Sequence, residues 1–291
     1  MLAVCALRST WQLRSRAAKP ERRTPEASHR FVKHQPRRRF GQNFLVDASV
    51  IAAIVAAIHP ARDDRMVEIG PGLGALTRPL LAAVEQMHAI EIDRDLAAAL
   101  KNEFAPRLTV HVTDVLKFDL AALGNDLRVV GNLPYNISTP LLFHLADFTG
   151  RIRDIHVMLQ KEIVERMVAA PSDSNHGRLS VMLQYRFELE KLLDVPAAAF
   201  DPAPKVESAV LRLTPLRPLP FAARDEALFA SIVKAAFSQR RKTLRNSLRR
   251  FLSEPDFGVL AIAPATRAQE LGVKQFVAIA DYVGSRAARA D

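Results

Sequence analysis

Two short segments of this 291-residue chain combine residue types and spacings that can hold a nucleoside. Gly70-Pro71-Gly72-Leu73-Gly74 follows the apolar run Met66-Val67-Glu68-Ile69 and precedes a helical stretch reaching about Val84. A glycine-rich turn between strand and helix lets backbone approach a ligand where a Cβ would collide, and the helix N-terminus offers free N–H groups. Glu91 stands 21 residues beyond Gly70 at the end of the next strand-like run, where a carboxylate can accept both hydroxyls of a ribose. A nucleoside-containing cofactor is therefore expected. The spacing Gly70-x-Gly72-x-x-Ala75 also meets the dehydrogenase fingerprint, so a dinucleotide and S-adenosylmethionine both stay open at this point.

A third segment, Asn132-Leu133-Pro134-Tyr135, follows another strand-like run and falls at the same sheet edge. Its residue types suit an exocyclic adenine amine, a poor nucleophile because its lone pair is delocalised into the ring. Acceptors aimed at the two amine protons, here the Asn132 side-chain oxygen and the Leu133 carbonyl, favour the pyramidal amine with a localised lone pair. Pro134 fixes the turn, and Tyr135 can stack on an extruded base. The eight histidines and the single Cys5 form no zinc spacing, and Ser180 lacks a nucleophile-elbow context, so neither a metal nor a covalent nucleophile is expected.

These segments need a frame. Asp47 can N-cap a helix carrying Val50, Ile51, Ile54, Val55 and Ile58. Strand and helix then alternate: strands at 66–69, 89–93, 108–114, 128–131 and 155–159, with helices at 94–104, 138–147 and 161–169. That alternation predicts an α/β fold with a parallel sheet covered by helices on both faces. After the polar loop 171–177, runs at 185–195 and 206–213 have no helix between them and should pair antiparallel at the sheet edge. Beyond Pro215, Pro218 and Pro220 the pattern is helical: Phe229, Ile232, Val233, Ala236 and Phe237 share a stripe, and Thr266-Arg267-Ala268-Gln269 has capping-box form. The expected organisation is a basic arm at 1–36, an α/β domain at 37–214 and a helical domain at 215–291.

An apolar fraction of 49% with 25% charged residues excludes wholesale disorder and low-complexity classes. One cysteine excludes an internally disulfide-stapled secreted scaffold and fits a reducing compartment. The longest clean apolar run, nine residues from Val50 to Ile58, predicts no membrane span. The net charge of +10 is unevenly placed: residues 1–46 carry +9, residues 240–250 carry +6, and the rest carries −5. Such islands suit a polyanion partner. Arg241, Arg245 and Arg249 recur every four residues beside Leu244, Leu248 and Phe251, which predicts one helix with a cationic stripe and an apolar face; Arg240, Lys242 and Arg250 add to its charge.

Taken together, Gly41-Gln42-Asn43-Phe44-Leu45, Glu68-Ile69-Gly70-Pro71-Gly72, Glu91-Ile92-Asp93, Asn132-Leu133-Pro134-Tyr135-Asn136, Gln160-Lys161-Glu162, Gly177-Arg178-Leu179-Ser180, Pro202 to Ser208 and Gln239 to Asn246 resemble the ribosomal RNA adenine dimethyltransferases. The resemblance runs from residue 37 to about 282. It implies a Rossmann-like, S-adenosylmethionine-dependent methyltransferase sheet with an antiparallel edge and a small helical C-terminal domain. It further implies that Asn43, Leu45, Gly70, Gly72, Glu91, Asp114 and Asn132 bind the cofactor, that Asn132 to Tyr135 carry catalysis, and that Tyr135 and Phe200 face the target base. The implied substrate is small-subunit ribosomal RNA, dimethylated at two adjacent adenosines of a hairpin loop near its 3′ end, within a partly assembled subunit and by a monomer. Two alternatives are a large-subunit adenine methyltransferase and a non-catalytic RNA-binding factor on the same fold. A cytoplasmic setting is expected, or a mitochondrial one if residues 1 to about 30 are a transit peptide.

Overall fold

The computed structural model describes residues 43–239 and 241–290, so the basic arm, Gly41, Gln42 and Arg240 lie outside the described residues. In chain order the elements are β1 (Phe44–Leu45), α1 (Ala48–Ile58), β2 (Arg65–Ile69), α2 (Thr77–Ala83), β3 (Met87–Glu91), α3 (Arg94–Phe104), β4 (Leu108–Val112) and β5 (Leu127–Asn132). There follow α4 (Ser138–Ala146), β6 (Ile152–Gln160), α5 (Lys161–Val168), α6 (Arg178–Gln184), β7 (Phe187–Val195), β8 (Phe200–Asp201) and β9 (Ser208–Pro215). The chain closes with α7 (Glu226–Ala236), α8 (Leu244–Ser247), α9 (Glu254–Val259) and α10 (Val273–Ala290).

Seven strands form one sheet in the order β4-β3-β2-β5-β6-β9-β7. The first five run parallel, and β9 lies antiparallel to both β6 and β7, which is the antiparallel edge expected from the absence of an intervening helix. Strands buried on both faces read as continuous apolar runs, and Val129 and Val130 of β5 are both fully buried. One face packs against α1, α2 and α3 through Ile54, Ile58, Leu80, Leu81, Ala97 and Leu100. The other packs against α4 and α5 through Leu141, Leu142, Leu145, Val164 and Met167. Asp47 caps α1 as its type and position dictate, accepting the Ser49 and Val50 amides at 2.8 and 3.1 Å.

A third core joins α7 to α10, with Phe229, Ile232, Val233, Leu244, Leu248, Phe257 and Phe276 all at 2% exposure or less. Val181 and Tyr185, from α6 and its C-terminal end, belong to this core. The helix at 178–184 is an element that the sequence pattern did not predict. Two other expectations need correction. Residues 241–250 do not form one helix: only Leu244–Ser247 is helical, because Thr243 bridges Arg267 and the Leu244 amide donates to the Thr266 carbonyl at 2.8 Å. Of the expected apolar face, Leu244 and Leu248 point inward, while Phe251 is only partly buried and Leu252 beside it is buried instead. The expected capping box at Thr266 is displaced by one residue, since Thr266 is engaged with Leu244: Glu270 accepts the Arg267 amide at 2.8 Å and opens the single turn Ala268–Glu270.

Candidate active site

From β2 the chain moves outward to β3 and β4, then returns to the other side of β2 as β5. Connections leaving β2 and β5 therefore diverge, opening a crevice at the carboxyl ends of these strands. The crevice encloses about 1040 Å³, open space included, and is lined from five places in the chain: Asn43–Leu45, Glu68–Gly72, Ile90–Ile92, Thr113–Val115 and Asn132–Tyr135. Of the residues singled out from sequence for cofactor and catalysis, Asn43, Leu45, Gly70, Gly72, Glu91, Asp114, Asn132, Leu133, Pro134 and Tyr135 all line it.

Backbone contact between β2 and β5 beneath the crevice is close. A Cβ on Gly131 would sit 2.5 Å from the Ile69 carbonyl oxygen, so only glycine fits there. Gly72 takes a left-handed φ of 56°, which turns its N–H toward Glu91 Oε2 at 3.3 Å. The other Glu91 oxygen accepts the Asp93 amide at 2.8 Å. Glu91 is 5% exposed; burial raises its carboxyl above the ordinary value, against the lowering pull of those two amides. A second acid lies deeper. Glu68, 2% exposed, accepts the Thr77 hydroxyl at 2.6 Å across the glycine turn, so the end of β2 and the start of α2 are tied directly. Burial, reinforced by the nearby Glu91 charge, pushes the Glu68 carboxyl up to about 7. Glu68 had no assigned role from sequence; the available signal was an acid inside an otherwise apolar strand run.

Asp114 opens the 3-10 turn Val115–Lys117, its Oδ1 accepting the Leu116 amide at 3.0 Å. Ile92, half exposed at 49%, gives the crevice an apolar wall that sequence reasoning did not mark. Asn132 Nδ2 donates to the Asn43 carbonyl at 3.1 Å, which leaves Oδ1 of the same amide as an acceptor. The turn beyond it is held by the Leu133 amide on the Met158 carbonyl at 3.1 Å and by the Ile137 amide on the Pro134 carbonyl at 3.2 Å. Tyr135 places its hydroxyl 2.9 Å from the Ser208 Oγ.

Phe200 is not brought to this crevice. Strand β8 pairs with β1, setting Leu45 opposite Phe200, and the ring is 4% exposed within the core beneath α1. Arg241, Lys242, Arg245, Arg249 and Arg250 are all exposed, but the broken helix removes the single stripe. Arg245 pairs with Glu254 at 2.9 Å, and the Arg250 guanidinium lies 4.5 Å from the centroid of the Phe251 ring. Among the described residues, no helix is long and apolar enough to cross a membrane and no three His, Cys, Asp or Glu side chains are grouped to hold a metal.

The sequence model for ribosomal RNA adenine dimethylase matches residues 33–284. The chain belongs to the ribosomal RNA adenine dimethylase family. A ribosomal RNA small subunit methyltransferase A of Thiobacillus denitrificans is 59% identical over 87% of this chain and the whole of its own length. The protein of the same name from Nitrosospira multiformis is 61% identical over 86% of this chain and 97% of its own. Among solved structures, a dimethyladenosine transferase from Plasmodium falciparum superposes with a TM-score of 0.74 at 23% identity, covering 84% of this chain and 98% of that one. The 23S rRNA methyltransferase ErmE follows at 0.66 and 25% identity, covering 83% and 100%. Each covers more of this chain than the residues up to β9 comprise, so the likeness of fold reaches into the helical C-terminal part.

Proposed function

We propose that this chain dimethylates the N6 atoms of two adjacent adenosines in a hairpin loop near the 3′ end of small-subunit ribosomal RNA, taking methyl groups from S-adenosylmethionine. The observation that carries this reading is the setting of Asn132 in the crevice lining: its Nδ2 is committed to the Asn43 carbonyl, which fixes the amide and leaves Oδ1 as an acceptor. An acceptor fixed in advance favours the pyramidal amine without reorganisation in the transition state.

The crevice suits the cofactor. Glu91 is a buried carboxylate whose partners are backbone amides rather than a cation, as a clamp for the two ribose hydroxyls requires. Gly70 and Gly72 contribute no side chains to the crevice, which Asn43 and Leu45 also line. Asp114 keeps one carboxylate oxygen beyond its cap bond, which we assign to an adenine amine. When bound, S-adenosylmethionine supplies a methyl already activated by its sulfonium, so the protein's task is placement. The Leu133 carbonyl serves as second acceptor for the target amine, Pro134 holds the turn, and Tyr135 stacks on the base. Phe200, packed in the core, backs the β1–β8 ribbon in this arrangement.

We read residues 37–214 as the catalytic domain and 215–291 as the RNA-binding domain, with Arg241, Lys242, Arg249 and Arg250 as phosphate contacts and Arg245 partly engaged by Glu254. A partly assembled small subunit is the substrate in this reading, met by a monomer in the cytoplasm. The names of the relatives at 54–61% identity support the small-subunit choice. Incubating the protein with labelled S-adenosylmethionine and a mixture of unmodified small and large subunits, then mapping dimethyladenosine by mass spectrometry, tests it. Label on large-subunit RNA alone, or no label, would overturn the reading.

A further inference from the structure

A stacking platform works only if its plane is set, and Tyr135 is set from both ends. Its hydroxyl lies 2.9 Å from Ser208 Oγ. At the other end, Ser138 Oγ donates to the carbonyls of Pro134 and Tyr135 at 3.1 and 3.3 Å. Ser208 is fully buried and begins β9, in register with Gln160 of β6 on one side and Val195 of β7 on the other. The residue before it is tied as well: the Lys161 amide donates to the Glu207 carbonyl at 3.0 Å, and Lys161 Nζ meets the Glu207 carboxylate at 2.8 Å. The serine is thus a fixed point of the antiparallel edge, reaching the turn that follows β5 from two strands away. A phenol seeking only a hydrogen bond would find one in water; a buried serine held on both sides gives the hydroxyl one position.

We infer that Ser208 is a positioning residue for methyl transfer, holding the Tyr135 phenol so that its ring faces the crevice before RNA arrives. The role rests on the reading of Tyr135 as the base platform. It also explains why the Pro202 to Ser208 segment, whose own side chains do not line the crevice, accompanies the catalytic turn. Order imposed before binding lowers the cost of holding the base in reactive geometry.

The test uses the full-length protein, unmodified small subunits, and a hairpin RNA carrying 2-aminopurine at the target position, whose fluorescence is quenched by stacking. Ser208→Ala and Tyr135→Phe should each lower kcat/KM for subunits by roughly threefold to tenfold, the range for one hydrogen bond, mainly through KM. Each should relieve part of the quench and leave calorimetric S-adenosylmethionine affinity unchanged. The double variant should be no worse than either single one. Additive losses, parent-like kcat/KM in Ser208→Ala beside an impaired Tyr135→Phe, or lost cofactor affinity in Ser208→Ala would overturn the positioning role. If Ser208→Ala does not fold, Tyr135→Phe decides alone: partial loss supports the role and parent behaviour overturns it. Tyr135→Ala separates the two claims, since parent-like quench and turnover in that variant would mean that the platform reading itself fails.

Discussion

The two ends of the parallel sheet treat buried acids in opposite ways. At the carboxyl ends, Glu68 and Glu91 are bonded to a hydroxyl and to backbone amides, and burial raises both carboxyls above their ordinary values. At the amino ends, Arg128 lies between Asp64 at 2.6 Å and Asp154 at 3.0 Å, with Arg153 also on Asp64. Burial alone would raise these two aspartates, but for Asp64 the Ala61 amide and the two arginines, and for Asp154 His156 and Arg128, hold them below the usual range. The comparison teaches that one sheet edge spends polar groups on scaffold while the other keeps acids without cations, available to a ligand.

The amino end should break most severely. Arg128 also donates to the carbonyls of Ile58 and His59 at 2.6 and 3.1 Å, closing the C-terminus of α1. Arg128→Met would leave the part-buried Asp154 without its arginine and buried Asp64 with Arg153 alone, and should cost about 3–5 kcal/mol in urea unfolding. Cofactor affinity of the protein that remains folded should hold. A variant as stable as its parent would refute the assignment of this cluster to the scaffold.

Asn132→Ala probes the carboxyl end and should invert that pattern. Single-turnover methylation should fall about a hundredfold to a thousandfold, the scale for losing one preorganised acceptor, with unfolding and cofactor affinity little changed. Near-normal turnover would remove the amine-polarising role from Asn132.

The carboxyl end was largely legible in the sequence because glycine turns, strand-terminal acids and an Asn-Leu-Pro-Tyr turn are local patterns whose chemistry follows from residue type. The amino end was not: Asp64, Arg128 and Asp154 look like isolated charges until β2, β5 and β6 bring them into register. The same limit applies to residues 241–250. Fourfold spacing of arginines and leucines is helical on paper, and only the pairing of Thr243 and Leu244 with Thr266 and Arg267, over twenty residues on, breaks it. The pairing of Phe200 was illegible for the same reason, since its partner Leu45 lies far away in the chain.

A pH titration sharpens the contrast at intermediate size. Glu68 has an ordinary value of 4.5 and rises to about 7 in the fold, so between those limits the native state binds more protons than the unfolded one. Its contribution is fully favourable below 4.5 and is lost as pH rises through 7, by at most roughly 3 kcal/mol. Asp64 and Asp154 work the other way: their contribution is present above 3.8 and fades as pH falls below it. Glu68→Gln keeps an acceptor for Thr77 and should flatten the decline between pH 4.5 and 8 in urea midpoints. Parallel curves for parent and variant would show that Glu68 titrates in the fold as it does in the unfolded chain.

The smallest effect is expected where exposed charges meet RNA. Arg241 and Arg249 stand on separate turns, both exposed, while Arg245 lies beside Glu254 with both partners more than half exposed. An exposed pair gains little stability, so the ion pair matters less to folding than to the charge offered outward. Each arginine that neutralises a phosphate adds somewhat under one unit to the slope of log affinity against log salt. Replacing Arg241 and Arg249 by Gln should lower that slope by up to about 2 for unmodified subunits. Arg245→Gln should lower it by less than either, because Glu254 already offsets part of its charge; Glu254→Gln should strengthen binding at low salt. Titrating subunits at several salt concentrations decides among these. Equal steps for all three arginines would mean that RNA displaces Glu254 from Arg245, and unchanged slopes would mean that residues 241–250 do not reach the RNA backbone.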